Sequence, residues 1–185
     1  MEHAKLNIAA IRRRANYSRI EYILRFSWSI VSIFFRNTPR LAYPLRNWLL
    51  RFFGAKIGAR VTIYPSCKVF LPWMLTIGDD TSIADGVGLY CLGPLSVGNR
   101  VVISQNAYLC GGTHDFESTN FTLVRAPIVI EDDCWICAGA FIGPNVTIGA
   151  RSVVGAMSAV FKDCQADSVY GGNPAQRIKT RVFND

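Results

Sequence analysis

IVIEDDCWICAGAFIGPNVTIGARSVVGAMSAV, residues 128–160, carries an aliphatic side chain at every sixth position. These positions are Ile130, Ile136, Ile142, Ile148, Val154 and Val160. A β-strand alternates its side chains with a period of two, so residues six apart share one face. On an α-helix six residues turn through about 600°, which would scatter the same side chains over three faces. The spacing therefore predicts short β-strands.

The same spacing is present upstream, in three sets of three aliphatic residues separated by two-residue slips. The sets are Ile57, Ile63 and Val69, then Ile77, Ile83 and Leu89, then Val97, Ile103 and Leu109. Glycine often follows the aliphatic residue, as at Gly58, Gly78 and Gly98, where we expect a corner to need glycine's backbone freedom. Three strands per turn, stacked as a triangular prism, fit this pattern. The sequence therefore predicts an all-β solenoid, a parallel β-helix of about five coils.

The charge is unevenly distributed along the chain. Residues 1–60 hold 12 Lys and Arg against 2 Asp and Glu, whereas residues 61–185 hold 8 against 11. A nucleic-acid-binding domain would spread basic side chains over its folded surface, interleaved with exposed aromatic residues. The repeat region lacks that pattern, so we expect no nucleic acid partner.

The most hydrophobic segment is IEYILRFSWSIVSIFF, residues 20–35. It is short for a bilayer span, and two charged residues, Glu21 and Arg25, interrupt it. We expect a helix that ends near Asn37, followed by a shorter helix at about Leu45 to Phe53. Two alternatives stay open for the first helix. It packs on the main body or on another subunit, or it lies on an anionic membrane surface.

Six cysteines occur in a sequence with no apparent secretory signal, which predicts reduced thiols in a cytoplasmic protein. Cys134 and Cys137 have the spacing of a redox or zinc half-site. The repeat places Cys134 at an inward position and Cys137 at the following corner, so they make a poor pair. We expect Cys67, Cys134 and Cys164 to be small core residues.

The repeat is interrupted once, between Leu109 and Ile130, where LCGGTHDFESTNFTLVRAP stands. Insertions in a solenoid mark its binding face, so we expect an active-site loop at about residues 111–128. His114 lies at the start of the insertion, and we place it at an outward position of the last regular strand. The sequence has one other histidine, His3. Its position makes His114 the candidate functional residue, although a loop histidine is often ordinary surface.

The strings ISQNAYLCGGTHDF and LVRAPIVIEDDCWI, with FGAKIG at 53–58 and GGNPAQRIK at 171–179, resemble the hexapeptide-repeat acyltransferases. The resemblance is to the branch of exopolysaccharide synthesis that includes the colanic-acid-type O-acetyltransferases, and it runs from about residue 40 to 181. It implies a left-handed parallel β-helix, a homotrimer, acetyl-CoA as co-substrate and a sugar or saccharide acceptor. The implied function is O-acetylation in exopolysaccharide biosynthesis.

The resemblance also implies roles for residues near the acceptor. His114 matches the histidine that takes the proton of the acceptor hydroxyl, a role that suits an imidazole because it titrates near neutrality. Related sugar acetyltransferases carry an acceptor-binding Asn at the position of Ala84. The neighbouring Asp85 is therefore a candidate acceptor ligand, or a solvated corner carboxylate. Trp135, expected to face outward, could stack on a sugar ring or on CoA, or pack in the trimer.

Similar proteins bind CoA in a groove between adjacent subunits. By resemblance, the backbone near Ala138 and Ala156 would bind the pantetheine amides, and Lys162 would pair with a CoA phosphate. In the C-terminal basic patch, Lys179 stands where a relative has Arg, and Arg177 could compensate for a second missing Arg. The alternative for this patch is an ordinary surface charge cluster.

Three parts of the chain follow from these features. They are an N-terminal basic, helical segment (1–54), the hexapeptide-repeat β-helix (55–165), and a C-terminal extension with a short helix (166–185). The same β-helix also occurs in the gamma-type carbonic anhydrases, which need three histidines around zinc. The repeats contain only His114, so we expect no metal. Two alternatives to O-acetylation remain: N-acetylation of an amino or nucleotide-linked sugar, and a non-catalytic trimeric scaffold.

We expect a cytoplasmic protein, with a peripheral position at the inner face of the membrane if the first helix binds lipid.

Overall fold

The computed structural model describes residue 5 and residues 17–183. The first part of the predicted basic segment 1–54 therefore lies outside the described residues, apart from Lys5. Within the described chain, two helices precede a parallel β-solenoid, and a C-terminal hairpin follows it.

The solenoid consists of three sheets, each contributing one short strand to every coil. The first sheet holds β1 (Lys56–Ile57), β4 (Leu75–Ile77), β7 (Leu95–Val97), β12 (Ile128–Ile130) and β15 (Val146–Ile148). The second holds β2 (Thr62–Ile63), β5 (Ser82–Ile83), β8 (Val102–Ile103), β13 (Trp135–Ile136) and β16 (Val153–Val154). The third holds β3 (Lys68–Val69), β6 (Gly88–Tyr90), β9 (Tyr108–Cys110), β14 (Phe141–Ile142) and β17 (Ala159–Val160). The predicted solenoid of about five coils is confirmed.

The core is the stack of aliphatic side chains that the repeat predicts. Each sheet pairs equivalent positions in register, so that Ile57 lies opposite Ile77, Ile77 opposite Val97, and Val97 opposite Ile130. All fifteen aliphatic repeat positions are buried. Burying such a side chain contributes roughly 1.5–3 kcal/mol, so the stack is the main source of stability in the solenoid.

The glycines that follow the aliphatic residues were expected to supply backbone freedom at the corners, but the structure gives a different reason for them. Gly58, Gly78 and Gly98 do not adopt positive φ. A Cβ on Gly78 would instead lie 2.6 Å from the Asn99 Oδ1 atom of the next coil, where that oxygen accepts a hydrogen bond from the Asp79 N–H. The prediction of permissive dihedrals is therefore wrong at these positions: the glycines leave room for a side chain of the neighbouring coil.

One edge of the prism carries alternating charges, one residue per coil. These residues are Arg60, Asp80, Arg100, Asp133, Arg151 and Asp167, all with φ between 52° and 61°. They form three ion pairs, in each of which the guanidinium donates to both carboxylate oxygens, as between Arg100 and Asp133 at 2.6 and 2.9 Å. The edge therefore ties successive coils together by charge as well as by backbone hydrogen bonds.

Two helices cover the first coil. Helix α1 (Arg19–Arg36) begins with a capping box formed by Ser18 and Glu21, and it packs on the solenoid through Trp28, whose Nε1 donates to the Val69 carbonyl at 2.8 Å. Helix α2 (Tyr43–Phe52) is anchored by a fully buried arginine, Arg46. Its guanidinium donates to the Thr38 hydroxyl and to the carbonyls of Ile63, Pro39 and Arg40. Packing of α1 on the body, one of the two alternatives, is therefore present.

The C-terminal extension forms no helix between Ser168 and Thr180. Strand β18 (Ser168–Gly172) pairs in parallel with β16, and β19 (Ala175–Thr180) returns antiparallel to it. The predicted C-terminal helix is wrong, because the last coil leaves an open sheet edge whose backbone groups a further strand satisfies. β18 thus extends the second sheet and covers that edge.

Candidate active site

The interruption of the repeat forms a β-hairpin. Strand β10 (Gly112–His114) pairs antiparallel with β11 (Leu123–Arg125), which places His114 opposite Leu123. Backbone N–H groups of Gly93 and Ala126 both donate to the Gly111 carbonyl and fix the base of the hairpin to the solenoid. The structure thus corrects one expectation: His114 does not belong to the last regular strand, because the chain leaves the solenoid after β9 and forms new antiparallel pairs.

His114 is half-buried and held in one orientation by Phe121. The two rings stack with centroids 4.3 Å apart and an interplanar angle of 10°. Nδ1 of His114 lies 2.9 Å from the Phe121 carbonyl oxygen. A carbonyl can only accept, so Nδ1 carries the hydrogen, and in the neutral ring Nε2 has a free electron pair. The arrangement leaves Nε2 as the proton acceptor.

Asp115 has a structural role in the hairpin. Its Oδ1 accepts hydrogen bonds from the backbone N–H groups of Glu117 and Ser118, at 3.2 and 3.3 Å, and so shapes the turn. The group that orients the imidazole is the Phe121 carbonyl, which the sequence analysis did not identify. A backbone carbonyl leaves no signature in residue type, and only the hairpin register brings Phe121 to His114.

Three of the predicted site residues lie along one edge of the prism. Asp85, Ala138 and Ala156 occupy corners between the second and third sheets, and the corner of Gln105 lies between those of Asp85 and Ala138. Backbone hydrogen bonds link the corners along this edge, such as that from the Met157 N–H to the Ala138 carbonyl at 2.9 Å. Asp85 is exposed, and its carboxylate accepts a hydrogen bond from the Ser66 hydroxyl at 2.8 Å.

This edge and His114 lie at opposite ends of the strands of the third sheet. The corner of Asp85 precedes a strand of that sheet, whereas the hairpin of His114 follows β9. Within one chain the structure therefore does not bring Asp85, Ala138 or Ala156 to His114.

Trp135 lies on the second sheet and is 46% exposed, as predicted for an outward position. Its Nε1 donates to the Ser104 hydroxyl at 2.9 Å, and its neighbour across the sheet is Val102, which is 45% exposed. The indole is thus fixed beside the edge that carries Ala138, with one face available to a ligand or to another chain.

Lys162 and Arg177 line a common cavity of about 430 Å³ beneath the C-terminal hairpin. Arg177 is held there by hydrogen bonds to the hydroxyls of Ser168 and Thr180, at 3.0 and 2.8 Å. Tyr170 and Phe161 supply an apolar part of the wall. Lys179, on β19 opposite Val169, is not among the residues that line the cavity.

The cysteines are unpaired, and most of them belong to the core. Cys67, Cys91, Cys134 and Cys164 are buried, and burial raises the pKa of each thiol, to about 12 for Cys67. Cys137, expected at a corner, is also buried, and its thiol pKa is likewise raised by burial. Among the described residues, no group of three or more His, Cys, Asp or Glu side chains is arranged to hold a metal ion.

Comparison with known proteins identifies the class of protein. Residues 127–162 match the model of the bacterial transferase hexapeptide family (six repeats). The chain is 48% identical, over 84% of its length and 85% of the relative's, to an Escherichia coli (strain K12) protein named "Putative colanic acid biosynthesis acetyltransferase WcaF". The chain belongs to the hexapeptide-repeat acetyltransferases, and the predicted class of enzyme is confirmed.

Other relatives agree with this assignment. The crystal structure of a hexapeptide-repeat acetyltransferase from Vibrio cholerae, complexed with acetyl coenzyme A, superposes with a TM-score of 0.82 at 28% identity, covering 90% of this chain and 91% of that one. The galactoside O-acetyltransferase of Escherichia coli (strain K12) is 33% identical over 60% of this chain and 49% of its own length.

Proposed function

We propose that this protein transfers the acetyl group of acetyl-CoA to a hydroxyl of a sugar or saccharide precursor, with Nε2 of His114 as the general base. The observation that carries the proposal is the hydrogen bond between Nδ1 and the Phe121 carbonyl. It fixes the tautomer in which Nε2 can accept a proton, and the stacked Phe121 ring holds the imidazole plane.

The reaction needs only the groups named. As the acceptor oxygen attacks the thioester carbonyl, its proton passes to Nε2 of His114, and a C–O bond forms. The C–S bond then breaks, and the proton on Nε2 passes to the departing CoA sulfur. The imidazole is thus regenerated, and the mechanism requires no covalent enzyme intermediate.

Binding roles follow from the placement of the remaining residues. The cavity lined by Lys162 and Arg177 is also lined by one acidic residue, Asp163, and is apolar in part. Its two cationic side chains suit the phosphates of CoA. Small residues at Ala138 and Ala156 leave backbone accessible for the pantetheine chain. Asp85 and Trp135 offer a carboxylate and an aromatic face, the two features that bind sugar hydroxyls and sugar rings. Lys179 does not line the cavity, and its proposed role is limited to adding positive charge nearby.

A homotrimer would reconcile these roles with the separation found within one chain. His114 lies at one end of the third sheet's strands, and the edge with Asp85 and Ala138 lies at the other. A site that uses both sets therefore needs the hairpin of one subunit beside the edge of the next. We propose that each active site is formed between two subunits of a trimer.

One relative supports exopolysaccharide synthesis as the setting, and another supports oxygen rather than nitrogen as the acceptor atom. One is named for colanic acid biosynthesis, and the other is a galactoside O-acetyltransferase. We place the enzyme in the cytoplasm, with a peripheral position at the inner face of the membrane, where lipid-linked saccharide precursors would be available.

The decisive experiment compares His114→Ala with His3→Ala, a matched control that removes the other histidine of the sequence. Acetyl transfer from labelled acetyl-CoA is measured with a panel of hydroxyl and amino sugar acceptors. We expect His114→Ala to lower turnover by about 10²–10⁴-fold, the usual contribution of a general base, and His3→Ala to leave it unchanged.

CoA binding by calorimetry and molecular mass by light scattering should be the same in both variants. Retained turnover in His114→Ala would refute the proposed base. Transfer to amino acceptors alone would assign N-acetylation, and the lack of any acetyl-CoA binding by the intact protein would favour a scaffold.

A further inference from the structure

Helix α1 exposes a continuous stripe of large apolar side chains. Its members are Ile20, Ile23, Phe26, Ile30, Ile33 and Phe34, each between 47% and 70% exposed. They recur at intervals of three or four residues, which is the spacing of one helix face. Single exposed apolar residues are common on protein surfaces, but a stripe along the full length of a helix marks an interaction surface.

The stripe lies opposite the face by which α1 packs on the solenoid. Trp28 and Phe35 are 3% and 1% exposed and point into the core. At 100° per residue, Phe26 and Ile30 lie about 160° from Trp28 on either side, on the far side of the helix. Within the described residues, the packing of α1 on the solenoid therefore leaves the stripe exposed.

Helix α2 repeats the arrangement. Leu45, Trp48 and Phe52 are 47–72% exposed, at intervals of three or four residues, while Leu50 and Arg46 are buried on the opposite face. Leu41, two residues before the helix, is 80% exposed. The rings of Trp48 and Phe52 stack with centroids 5.7 Å apart. Trp is the residue type enriched where protein meets the polar–apolar boundary of a bilayer.

The charge around these helices is strongly positive. Residues 17–60 carry eight Lys and Arg, of which Arg46 is buried and Arg60 is paired with Asp80. They carry one acidic residue, Glu21, which is itself paired with Arg125 at 2.9 Å. Arg19 and Arg36 stand at the two ends of α1. Anionic lipid headgroups complement such a surface, at about 1 kcal/mol per cationic side chain near the membrane. A like surface on a second copy of this chain would be repelled by it.

We infer that the exposed apolar faces of α1 and α2 form a membrane-docking surface, with the apolar side chains inserted at the headgroup level of an anionic bilayer and the arginines on the lipid phosphates. Such a helix lies in the plane of the membrane. In agreement, none of the described helices is long and apolar enough to cross a bilayer. Docking would bring the enzyme to a lipid-linked acceptor, and only this part of the inference rests on the proposed function.

The test is sedimentation with vesicles of phosphatidylcholine alone and of phosphatidylcholine with phosphatidylglycerol. We expect the full chain to bind the anionic vesicles at low salt, and to lose most binding at high salt as the charges are screened. The double variant Phe26→Glu with Ile30→Glu should bind at least tenfold more weakly. Val182→Glu, a matched control at a residue 73% exposed outside both helices, should bind like the unchanged protein.

Two further measurements distinguish this inference from the proposed function. Turnover with a water-soluble acceptor should be unchanged in the double variant, and its mass by light scattering should be unchanged. Equal vesicle binding by the double variant and the unchanged protein would overturn the docking surface. A smaller assembly in the double variant would also overturn it, because the stripe would then be a contact between copies of this chain.

Discussion

The carboxylate of Glu21 and the guanidinium of Arg125 meet at 2.9 Å, joining two segments 104 residues apart. Glu21 belongs to the first turn of α1, where it also accepts the Ser18 N–H. Arg125 lies on β11 of the hairpin that carries His114. The Tyr17 ring has the guanidinium of Arg25 at 3.8 Å and that of Arg125 at 4.7 Å from its centroid. The N-terminal helix is thereby fastened to the strand pair that holds the candidate base.

The first prediction concerns this ion pair. Both side chains are about three-quarters buried, so Arg125→Met should cost roughly 1 kcal/mol of stability, near the upper end for pairs that keep some solvent contact. Because the hairpin loses an anchor, we expect kcat to fall about threefold to tenfold with CoA affinity unchanged. Steady-state kinetics measures kcat, and calorimetry measures the affinity for CoA.

Arg60→Met is the matched control for that prediction, since Arg60 forms an ion pair with Asp80 on a prism edge away from the hairpin. It should leave kcat unchanged. An equal loss of kcat in both variants would show that the Glu21–Arg125 pair has no particular role in positioning the hairpin.

The second prediction concerns Phe121. Phe121→Leu keeps the carbonyl that binds Nδ1 of His114 but removes the stacked ring. Ring stacking contributes about 1 kcal/mol, which corresponds to roughly a fivefold loss of kcat/KM. A loss as large as that of His114→Ala would mean that the ring itself takes part in the reaction.

The sequence was sufficient for the solenoid because the information is local and periodic. Each Ile, Val or Leu of the repeat pairs with its counterpart one coil away. The regular spacing of residues such as Ile77 and Val97 in the sequence therefore predicts the stack that the structure shows. The hairpin of His114 could be located as a break in the repeat. Its Phe121 carbonyl could not be found, because antiparallel register depends on backbone pairing across a loop.

Two of the wrong predictions, those of the C-terminal helix and of the glycine dihedrals, have a common physical cause. The C-terminal strand β18 and the glycine positions are both decided by what the adjacent coil offers: an open edge at β16 in one case, the Asn99 side chain above Gly78 in the other. The secondary-structure propensities of the residues carry no information about these contacts between coils.

The third prediction tests the steric role of Gly78. A methyl group there would meet Asn99 Oδ1 at 2.6 Å and the Gly98 carbonyl carbon at 2.7 Å, so Gly78→Ala should destabilise the fold by about 2 kcal/mol. Gly155→Ala is the control, because its nearest neighbouring atom would be 3.2 Å away. Thermal unfolding of the two variants compares them. Equal melting temperatures would refute the steric explanation.

The fourth prediction concerns acid stability. Hydrogen bonds from Arg60, Arg100 and Arg151 hold the pKa values of their carboxylate partners, such as Asp133, below the ordinary value. A carboxyl group whose pKa is lower in the folded state stabilises the fold above its unfolded pKa of about 4, and this contribution is lost as the pH falls through the folded pKa. Urea midpoints should therefore fall below pH 4. Asp133→Asn should flatten that dependence, and an unaltered slope would contradict the role of the charged edge.

The fifth prediction is that the thiol of Cys110 is accessible to reagents but is not needed for catalysis. Its thiol is half-buried at the base of the hairpin and donates to the Gly112 carbonyl at 3.2 Å, whereas the other five cysteines are buried. A thiol reagent should therefore label Cys110 first in the folded protein, because burial keeps the others in the unreactive thiol form. Direct attack of the acceptor on the thioester uses no thiolate, so Cys110→Ser should remove the fast labelling while retaining turnover within about twofold. If Cys110→Ser instead abolished turnover with CoA binding intact, transfer would proceed through an acetylated cysteine, and His114 would serve that thiol rather than the acceptor hydroxyl.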